Sequence, residues 1–249
     1  MRVSVLGVGI DALTMAEAVE RVAGFIKSGR PHRVITLNPE FLYRARFDSR
    51  LLALVRRADM VTADGVGIVW ACRMAGRPVP ERVTGIDLML SLVERAAAEG
   101  WRVYLLGAAP GVAEEAAKRL ILHYPGLTVA GVHHGYFGED EEAAVAGLVR
   151  KARADLLFVA LGAPKQEIWM DRYLEETGAA AAVGVGGSFD VIAGRVKRAP
   201  AWMRRLHLEW LYRLLSEPSR WRRQVALPLF AWTVVKEYGL KKVFAGRKA

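Results

Sequence analysis

Short apolar runs recur along residues 1–196, each closed by Gly, Asn or Asp and followed by a stretch of helical period. The runs are continuous rather than alternating, which indicates strands covered on both faces and therefore a mostly parallel sheet. The pattern predicts an α/β fold, Rossmann-like, in which helices flank that sheet. The predicted strands are Val3–Leu6, Val34–Leu37, Arg102–Leu106, Leu156–Leu161 and Ala180–Val185, with Met60–Thr62 as a shorter candidate.

Helical signals lie between the predicted strands. Thr14 and Glu17 form a capping-box pattern that opens a helix over Thr14–Phe25, and a second helix over Gly111–Leu122 follows a glycine-rich turn. In parallel sheets of this kind, ligands bind beyond the carboxyl ends of the strands. Candidate chemistry is therefore sought in the segments that follow each strand.

The last 53 residues follow a different pattern, because no strand is predicted after Lys197. Helical spacing runs from Pro200 to Leu215, Pro218 suits the first turn of a further helix, and Val225–Val235 is apolar. The longest charge-free stretch, Gln224–Val235, has 12 residues, whereas a membrane-spanning helix needs about 20. This C-terminal helical appendage is predicted to lie on a bilayer without crossing it.

Charge divides the chain at the same place. Residues 1–196 contain 23 Lys/Arg and 23 Asp/Glu, whereas residues 197–249 contain 13 Lys/Arg and 3 Asp/Glu, so the net charge of +10 lies entirely in the tail. The tail also holds four of the seven tryptophans, Trp202, Trp210, Trp221 and Trp232. We predict an α/β catalytic core at residues 1–196 and a basic, Trp-rich, membrane-associating appendage at residues 197–249.

The partner of this basic tail is predicted to be an anionic membrane surface. Nucleic acid is the competing polyanion, but the aromatic-plus-glycine motifs of nucleic-acid-binding modules are absent. The single cysteine, Cys72, fits a reducing compartment, and the N-terminus lacks the pattern of a cleaved signal peptide. A cytoplasmic protein is expected. The exposed apolar side chains of the tail also favour self-association into a homo-oligomer.

Gly7-Val8-Gly9-Ile10-Asp11-Ala12 matches the dinucleotide-binding fingerprint, with Ala in its last position. A nicotinamide enzyme should also carry an acidic residue at the end of its second strand, where this chain has Asn38-Pro39. The turn from Gly107 to Gly111 is a better phosphate cradle, because small residues expose backbone N–H groups at a helix N-terminus. A tight turn without a ligand is the alternative reading.

Asp64 follows a short strand and stands on a turn flanked by Gly65 and Gly67. A carboxylate in that position can act as a general base on an acceptor hydroxyl; the structural alternative is that it caps the next helix. Arg82 suits a diphosphate, with Thr84 and Asp87 close behind it in sequence. The alternative for this group is a helix cap at Thr84 or Asp87 and a solvated Arg82.

Polar residues also follow the later strands. Lys165 and Gln166 can hold phosphate or sugar hydroxyls, and Gly186 belongs to a further glycine-rich strand exit. Histidines show no metal-ligand spacing, and no Asp-x-Asp pair is present. We predict metal-independent chemistry with no cofactor.

Three arginines of the tail, Arg213, Arg220 and Arg223, are spaced 7 and 3 residues apart and would share one side of a continuous helix, although Pro218 leaves that continuity open. Such a row can face a lipid diphosphate or anionic headgroups. The structural alternative is a helix packed on the core with a solvated basic face.

Taken together, the segments that follow the strands resemble the WecG/TagA/CpsF glycosyltransferase family, over nearly the whole chain. The resemblance implies an inverting, metal-independent transfer of an N-acetylmannosamine-type sugar from a UDP-sugar to undecaprenyl-diphosphate-linked N-acetylglucosamine, in wall teichoic acid or surface polysaccharide synthesis. The segments that carry it are Thr36-Leu37-Asn38-Pro39-Glu40, Thr62-Ala63-Asp64-Gly65-Val66-Gly67, Arg82-Val83-Thr84-Gly85-Ile86-Asp87, Leu161-Gly162-Ala163-Pro164-Lys165-Gln166-Glu167 and Gly184-Val185-Gly186-Gly187-Ser188-Phe189-Asp190.

The same resemblance implies roles for individual residues. Asp64 corresponds to the family's candidate base, with Thr36 and Asn38 near it, and Arg82 and Gln166 resemble residues important for activity. It also implies a membrane-targeting tail whose arginines act on the diphosphate, at the inner face of the membrane. Two rival classes stay open: another nucleotide- or nicotinamide-dependent Rossmann enzyme, and a non-catalytic basic module that binds membranes.

Overall fold

The strands of the computed structural model form two sheets within residues 1–206, 208–216 and 221–239, which are the residues that the structure describes. Strands β3 to β8 build one parallel sheet in the order β4-β3-β8-β7-β5-β6, and β1 pairs with β2 in a separate antiparallel hairpin. The strands are β1 (Arg2–Val5), β2 (Val8–Asp11), β3 (His32–Leu37), β4 (Met60–Ala63), β5 (Arg102–Gly107), β6 (Thr128–His133), β7 (Leu156–Ala160) and β8 (Ala181–Gly184).

Helices connect the strands of the parallel sheet and cover both of its faces. The predicted α/β, Rossmann-like fold with a C-terminal set of helices is confirmed. The helices are α1 (Met15–Ser28), α2 (Pro39–Ala45), α3 (Ser49–Arg57), α4 (Val66–Met74), α5 (Gly85–Glu99), α6 (Val112–His123), α7 (Glu142–Ala152), α8 (Lys165–Thr177), α9 (Ser188–Ile192), α10 (Ala201–Arg205), α11 (Glu209–Ser216), α12 (Trp221–Gln224) and α13 (Ala226–Val234), followed by a π-helical turn (Val235–Gly239).

Successive residues of a strand point to opposite faces, which explains why the strands are apolar throughout. Leu105 and Phe158 pack on the face covered by α1, α5 and α6. Their neighbours Leu106 and Val159 pack on the other face with α7 and α8, and Ile35 packs with α2 to α4 and the hairpin. Because both faces are buried, the carboxyl edge of the sheet is where polar groups can meet a ligand.

The N-terminal strand is a correction to the sequence analysis. Val3–Leu6 was expected in the parallel sheet, but β1 turns directly into β2 and pairs with it antiparallel, Val5 opposite Val8. Leu6 and Gly7 both have positive φ, 49° and 84°, which is the backbone of a two-residue hairpin turn. The glycines of the dinucleotide fingerprint therefore belong to a hairpin rather than to a strand-to-helix turn.

One strand of the sheet escaped prediction. β6 lies at the sheet edge and pairs only with β5 among the described strands. Five of its six residues are half-buried and the first is exposed, and its short apolar stretch, residues 129–132, lies between the polar residues Thr128 and His133.

The tail packs partly into the core. Phe230 and Val234 of α13 belong to the same buried cluster as Phe41 and Ile68, beneath α2 and α4. The hydroxyl of Tyr238 accepts a hydrogen bond from the Leu6 backbone N–H at 2.8 Å. Within the described residues, none of the helices combines the length and the apolar character that a bilayer span requires. Pro218 lies outside the described residues.

Candidate active site

A cavity of about 1100 Å³ opens at the carboxyl edge of the parallel sheet. The segments that follow β3, β4, β7 and β8 form its floor, and helices of the tail form part of its wall. This is the place where an open parallel sheet binds its ligands. The predicted site residues that line it are Thr36, Asn38, Asp64, Arg82, Thr84, Gln166 and Gly186.

Asp64 lies immediately after β4, and both its backbone and its carboxylate are hydrogen-bonded. Its backbone N–H donates to the Leu37 carbonyl at 2.9 Å, which continues the β3–β4 pairing, and its Oδ2 accepts from the Gly85 N–H at 3.2 Å. The N-cap of α4 is Gly65, which has φ +103° and no side-chain capping bond. Asp64 is therefore not the N-cap of the next helix, α4; its carboxylate instead accepts from the first N–H of α5 and lines the cavity.

Thr36 and Asp64 both border Gly85, which has no side chain to keep them apart. A Cβ at Gly85 would lie 3.0 Å from Thr36 Oγ1, which is a tight approach, and 3.6 Å from Asp64 Oδ2, which is ordinary van der Waals contact, so both side chains border this glycine. The Thr36 hydroxyl donates to the Gly184 carbonyl at 2.8 Å. The exits of β3, β4 and β8 thus meet around one small residue, with a hydroxyl and a carboxylate side by side.

Two of the predicted binding residues also cap helices. Asn38 Oδ1 accepts from the Phe41 N–H at 2.8 Å at the start of α2, and Thr84 Oγ1 accepts from the Asp87 N–H at 3.3 Å at the start of α5. The capping alternative for Thr84 is confirmed. Both residues still border the cavity, so each cap also fixes a polar side chain at its wall.

Arg82 is not solvated but is paired with the tail. Its guanidinium lies 3.2 Å from a carboxylate oxygen of Glu209 at the start of α11, and Arg198 lies 2.6 Å from Asp87 and 3.8 Å from Glu209. These ion pairs join the segment before α5 to the tail. Glu209 was not singled out from the sequence, because nothing local in its surroundings distinguishes it from a solvated residue.

These contacts lower the pKa of the Asp87 carboxyl. Burial alone would raise its pKa, but the hydrogen bonds from Thr84 and Arg198, together with the charges of Arg198 and Arg82, lower the pKa overall. Asp87 therefore stays ionised and holds Arg198 and Thr84 in place.

Gln166 and Glu167 lie in the first turn of α8 and are both buried. Gln166 Nε2 donates to Glu167 Oε1 at 2.8 Å, and Gln166 Oε1 accepts from the Gly186 N–H at 3.1 Å. Burial raises the pKa of Glu167 to about 7, against the opposing effect of the hydrogen bond from Gln166. Gln166 reaches the cavity and Glu167 lies behind it.

Two predicted binding residues lie away from the cavity. Gly107 is the last residue of β5 and packs against Ala160, and it is the following Ala108 and Ala109 that line the cavity. Lys165 Nζ lies 3.5 Å from the Gly135 and Phe137 carbonyls and 4.7 Å from the Phe137 ring centroid. Neither Gly107 nor Lys165 therefore lines the cavity, although their chain neighbours Ala108 and Gln166 do.

The tail forms part of the cavity wall, but the residues by which it does so were not singled out from the sequence, which offered only the tail arginines as site residues. These wall residues combine aromatic, apolar and polar side chains, which the tryptophan content of the tail signalled only as a membrane contact. The described ones are Glu209, Trp210, Leu214, Trp221, Gln224, Val225, Leu227, Pro228, Phe230 and Ala231.

The side chains of the predicted arginine row lie outside the described part of the structure. Arg220 lies outside the described residues, and the side chains of Arg213 and Arg223 do too, although their backbones belong to α11 and α12. Within the part of the chain that the structure describes, no group of three or more His, Cys, Asp or Glu is placed to hold a metal ion.

Comparisons with known proteins agree on one family. Residues 3–243 match the sequence model of the Glycosyl transferase WecG/TagA/CpsF family. The chain is also similar to proteins named N-acetylglucosaminyldiphosphoundecaprenol N-acetyl-beta-D-mannosaminyltransferase. That of Bacillus spizizenii (strain W23) is 40% identical, over 82% of this chain and 78% of the relative. That of Bacillus subtilis (strain 168) is 36% identical, over 85% and 82%, and that of Staphylococcus aureus (strain MW2) is 35% identical, over 94% and 92%.

Proposed function

Because the chain belongs to the WecG/TagA/CpsF family of glycosyltransferases, we propose that it transfers N-acetylmannosamine or a related sugar from a UDP-sugar to undecaprenyl-diphosphate-linked N-acetylglucosamine. The names of its relatives describe this acceptor and this sugar. The product would enter wall teichoic acid or surface polysaccharide synthesis. The observation that carries the proposal is the cavity beyond the carboxyl ends of the strands, which Asp64, Thr36 and Arg82 line together with helices of a tryptophan-rich tail.

Asp64 is the proposed general base of an inverting transfer. The acceptor hydroxyl oxygen attacks the anomeric carbon, its proton passes to the Asp64 carboxylate, and the bond to the UDP oxygen breaks with its electron pair on the diphosphate. Gly85 fixes the Asp64 carboxylate through its backbone N–H, and Thr36 and Asn38 stand beside it to orient the sugar. General base catalysis of this kind contributes about 10²–10⁴-fold to rate.

The diphosphate charge needs cations and N–H groups. Arg82 lines the cavity, as do Ala108 and Ala109 in the turn before α6. Arg213, Arg220 and Arg223 are proposed to join them from the tail. Metal-independent transfer is part of the same proposal, and turnover that persists undiminished in EDTA is its test.

The tail is proposed to seat the enzyme on the cytoplasmic face of the membrane. Trp202, Leu215 and Trp232 are exposed, and Trp210 and Trp221 are exposed while also lining the cavity. A cavity that combines polar groups with exposed apolar side chains of the tail suits a substrate whose diphosphate must enter while its polyprenyl chain stays in lipid. The boundary at residue 197 and self-association remain predictions.

The deciding experiment is incubation with a panel of UDP-sugars and a lipid-diphosphate N-acetylglucosamine acceptor, followed by the product's mass. One N-acetylhexosamine added from UDP-N-acetylmannosamine is the expected result. No transfer from any UDP-sugar, or binding of NADH in preference to UDP by calorimetry, would overturn the proposal. The second outcome would favour the nicotinamide alternative, whose fingerprint glycines lie in the β1–β2 hairpin.

A further inference from the structure

Two polar side chains, Gln166 and Glu167, are almost completely buried at the start of α8, with exposed fractions of 3% and 2%. Glu167 is in the first turn of the helix, where a negative charge is favoured by the helix dipole. Its Oε1 accepts the hydrogen bond from Gln166, but its Oε2 is buried with no hydrogen-bond partner in the described part of the chain. The proposed catalytic steps make no use of this carboxylate.

The two hydrogen bonds of Gln166 fix which way its amide points. The Gly186 N–H can only donate, so it requires the amide oxygen. An ionised Glu167 can only accept, so it requires the amide nitrogen. The two neighbours therefore select one amide orientation and exclude the flipped one.

The amide also has little room. A Cβ at Gly184 would lie 2.7 Å from Gln166 Nε2, so the side chain lies directly on the end of β8. The Gly184 carbonyl accepts the Thr36 hydroxyl, and Thr36 is next to Asp64 across Gly85. A shift of the Gln166 amide would therefore be transmitted to the wall of the cavity that carries the proposed base.

Resting on the proposed function, we infer that Glu167 is a positioning residue: it holds the Gln166 amide in the one orientation that presents its polar edge to a hydroxyl of the donor sugar. Glu167 itself does not touch substrate. It acts through Gln166, and through Gln166 on the Gly186 loop.

A positioning role can be separated from a structural one because the two predict opposite effects on stability. A buried carboxylate oxygen without a donor costs folding free energy, so a leucine of similar size should leave stability unchanged or higher at pH 8. The same change removes the acceptor for Gln166 Nε2. Activity should therefore fall while the melting temperature does not.

The test compares Glu167→Leu and Glu167→Gln with wild type, in the full chain, and uses Glu175→Gln on the exposed side of α8 as the matched control. The measurements are kcat and KM for the UDP-sugar and for the acceptor, the melting temperature, and hydrogen exchange at the Gly186 amide by NMR. A misplaced group near the reacting atoms lowers rates by about 10²-fold. We expect a loss of about that size in kcat/KM for the donor in Glu167→Leu, with the acceptor KM unchanged and faster Gly186 exchange.

Glu167→Gln keeps an acceptor oxygen for Gln166 but loses the charge, so its kcat/KM for the donor should be about tenfold higher than that of Glu167→Leu and still below that of the wild type. The inference is wrong if Glu167→Leu folds and shows wild-type kinetics and Gly186 exchange, or if its activity falls only with its melting temperature. If Glu167→Leu fails to fold, Glu167→Gln becomes the deciding variant. Wild-type kcat/KM for the donor together with wild-type Gly186 exchange in Glu167→Gln would exclude the positioning role. Absence of sugar transfer by the wild type is a different result: it removes the proposed function, while Gly186 exchange still reports whether Glu167 holds Gln166.

Discussion

The core and the tail place the same residue type in opposite environments. Trp169 in the core has an exposed fraction of 0%, whereas Trp202 and Trp232 in the tail have 60% and 69%. The tail is nevertheless not a loose extension, because Phe230 and Val234, each two residues from Trp232, are buried in the core. Residues two apart on a helix point to nearly opposite sides, so α13 docks with one side and leaves its tryptophan outward. The tail thus serves both as a wall of the cavity and as an apolar outer surface.

The largest expected effect tests whether the core, rather than the tail, carries the catalytic base. Asp64→Asn should lower turnover by about 10²–10⁴-fold, because the amide cannot take the acceptor proton. UDP affinity by calorimetry and the circular dichroism spectrum should not change. Asp140→Asn, at an exposed position, is the control. Turnover near the wild-type rate in Asp64→Asn would remove Asp64 from the role of base.

The next effect tests whether the tail is part of the core. Phe230→Ala should lower the free energy of unfolding by about 3–5 kcal/mol, because it removes a buried ring from the cluster beneath α2 and α4. Denaturant titration measures it. Trp232→Ala, on the same helix but exposed, should change stability by about 0.5 kcal/mol or less. Equal effects of the two substitutions would contradict the docked arrangement. Deletion of the whole tail is a poorer test, because it would also uncover this cluster.

A third effect belongs to the core side of the cavity. The pKa of Glu167 is raised from 4.5 to about 7 in the folded protein, so the native state binds this proton more tightly than the unfolded state does. The free energy of unfolding should therefore fall as pH rises from about 4.5 to 7, by up to about 3 kcal/mol. Glu167→Leu should lack this part of the pH dependence, measured by urea titration at several pH values. An unchanged pH profile in the variant would show that Glu167 is ionised at its ordinary pKa.

The smallest effect concerns the outer surface of the tail. Burying a large apolar side chain contributes about 1.5–3 kcal/mol, so Trp202→Ala and Trp232→Ala should each weaken co-sedimentation with anionic vesicles about tenfold or more. Phe47→Ala is the matched control, because Phe47 is equally exposed but belongs to the core. If Phe47→Ala weakens binding as much as the tryptophan variants, membrane contact is not confined to the tail.

Local sequence patterns predicted much of the fold. The inner strands and the capping box of α1 were predicted from apolar runs and local caps, with strand ends shifted by one or two residues. The hairpin was misassigned because a two-residue turn at Leu6-Gly7 is compatible with the same apolar run as a parallel strand. Edge strand β6 was missed because its apolar stretch, residues 129–132, is short and lies between the polar residues Thr128 and His133.

The candidate site, like the fold, was predicted only in part from local sequence patterns. Polar residues that follow predicted strands indicated Asp64 and Gln166, because the carboxyl ends of parallel strands meet on one side of the sheet. Arg82 was considered for its charge, and a site role for Thr36 came only from the family resemblance. Only the tertiary structure decided that Glu209 pairs with Arg82, from 127 residues further along the chain. It alone also decided that the tail lines the cavity and that Glu167 is buried behind Gln166. The physical reason is that periodicity and capping are properties of neighbouring residues, whereas burial and ion pairing depend on which distant segments the packed helices bring together.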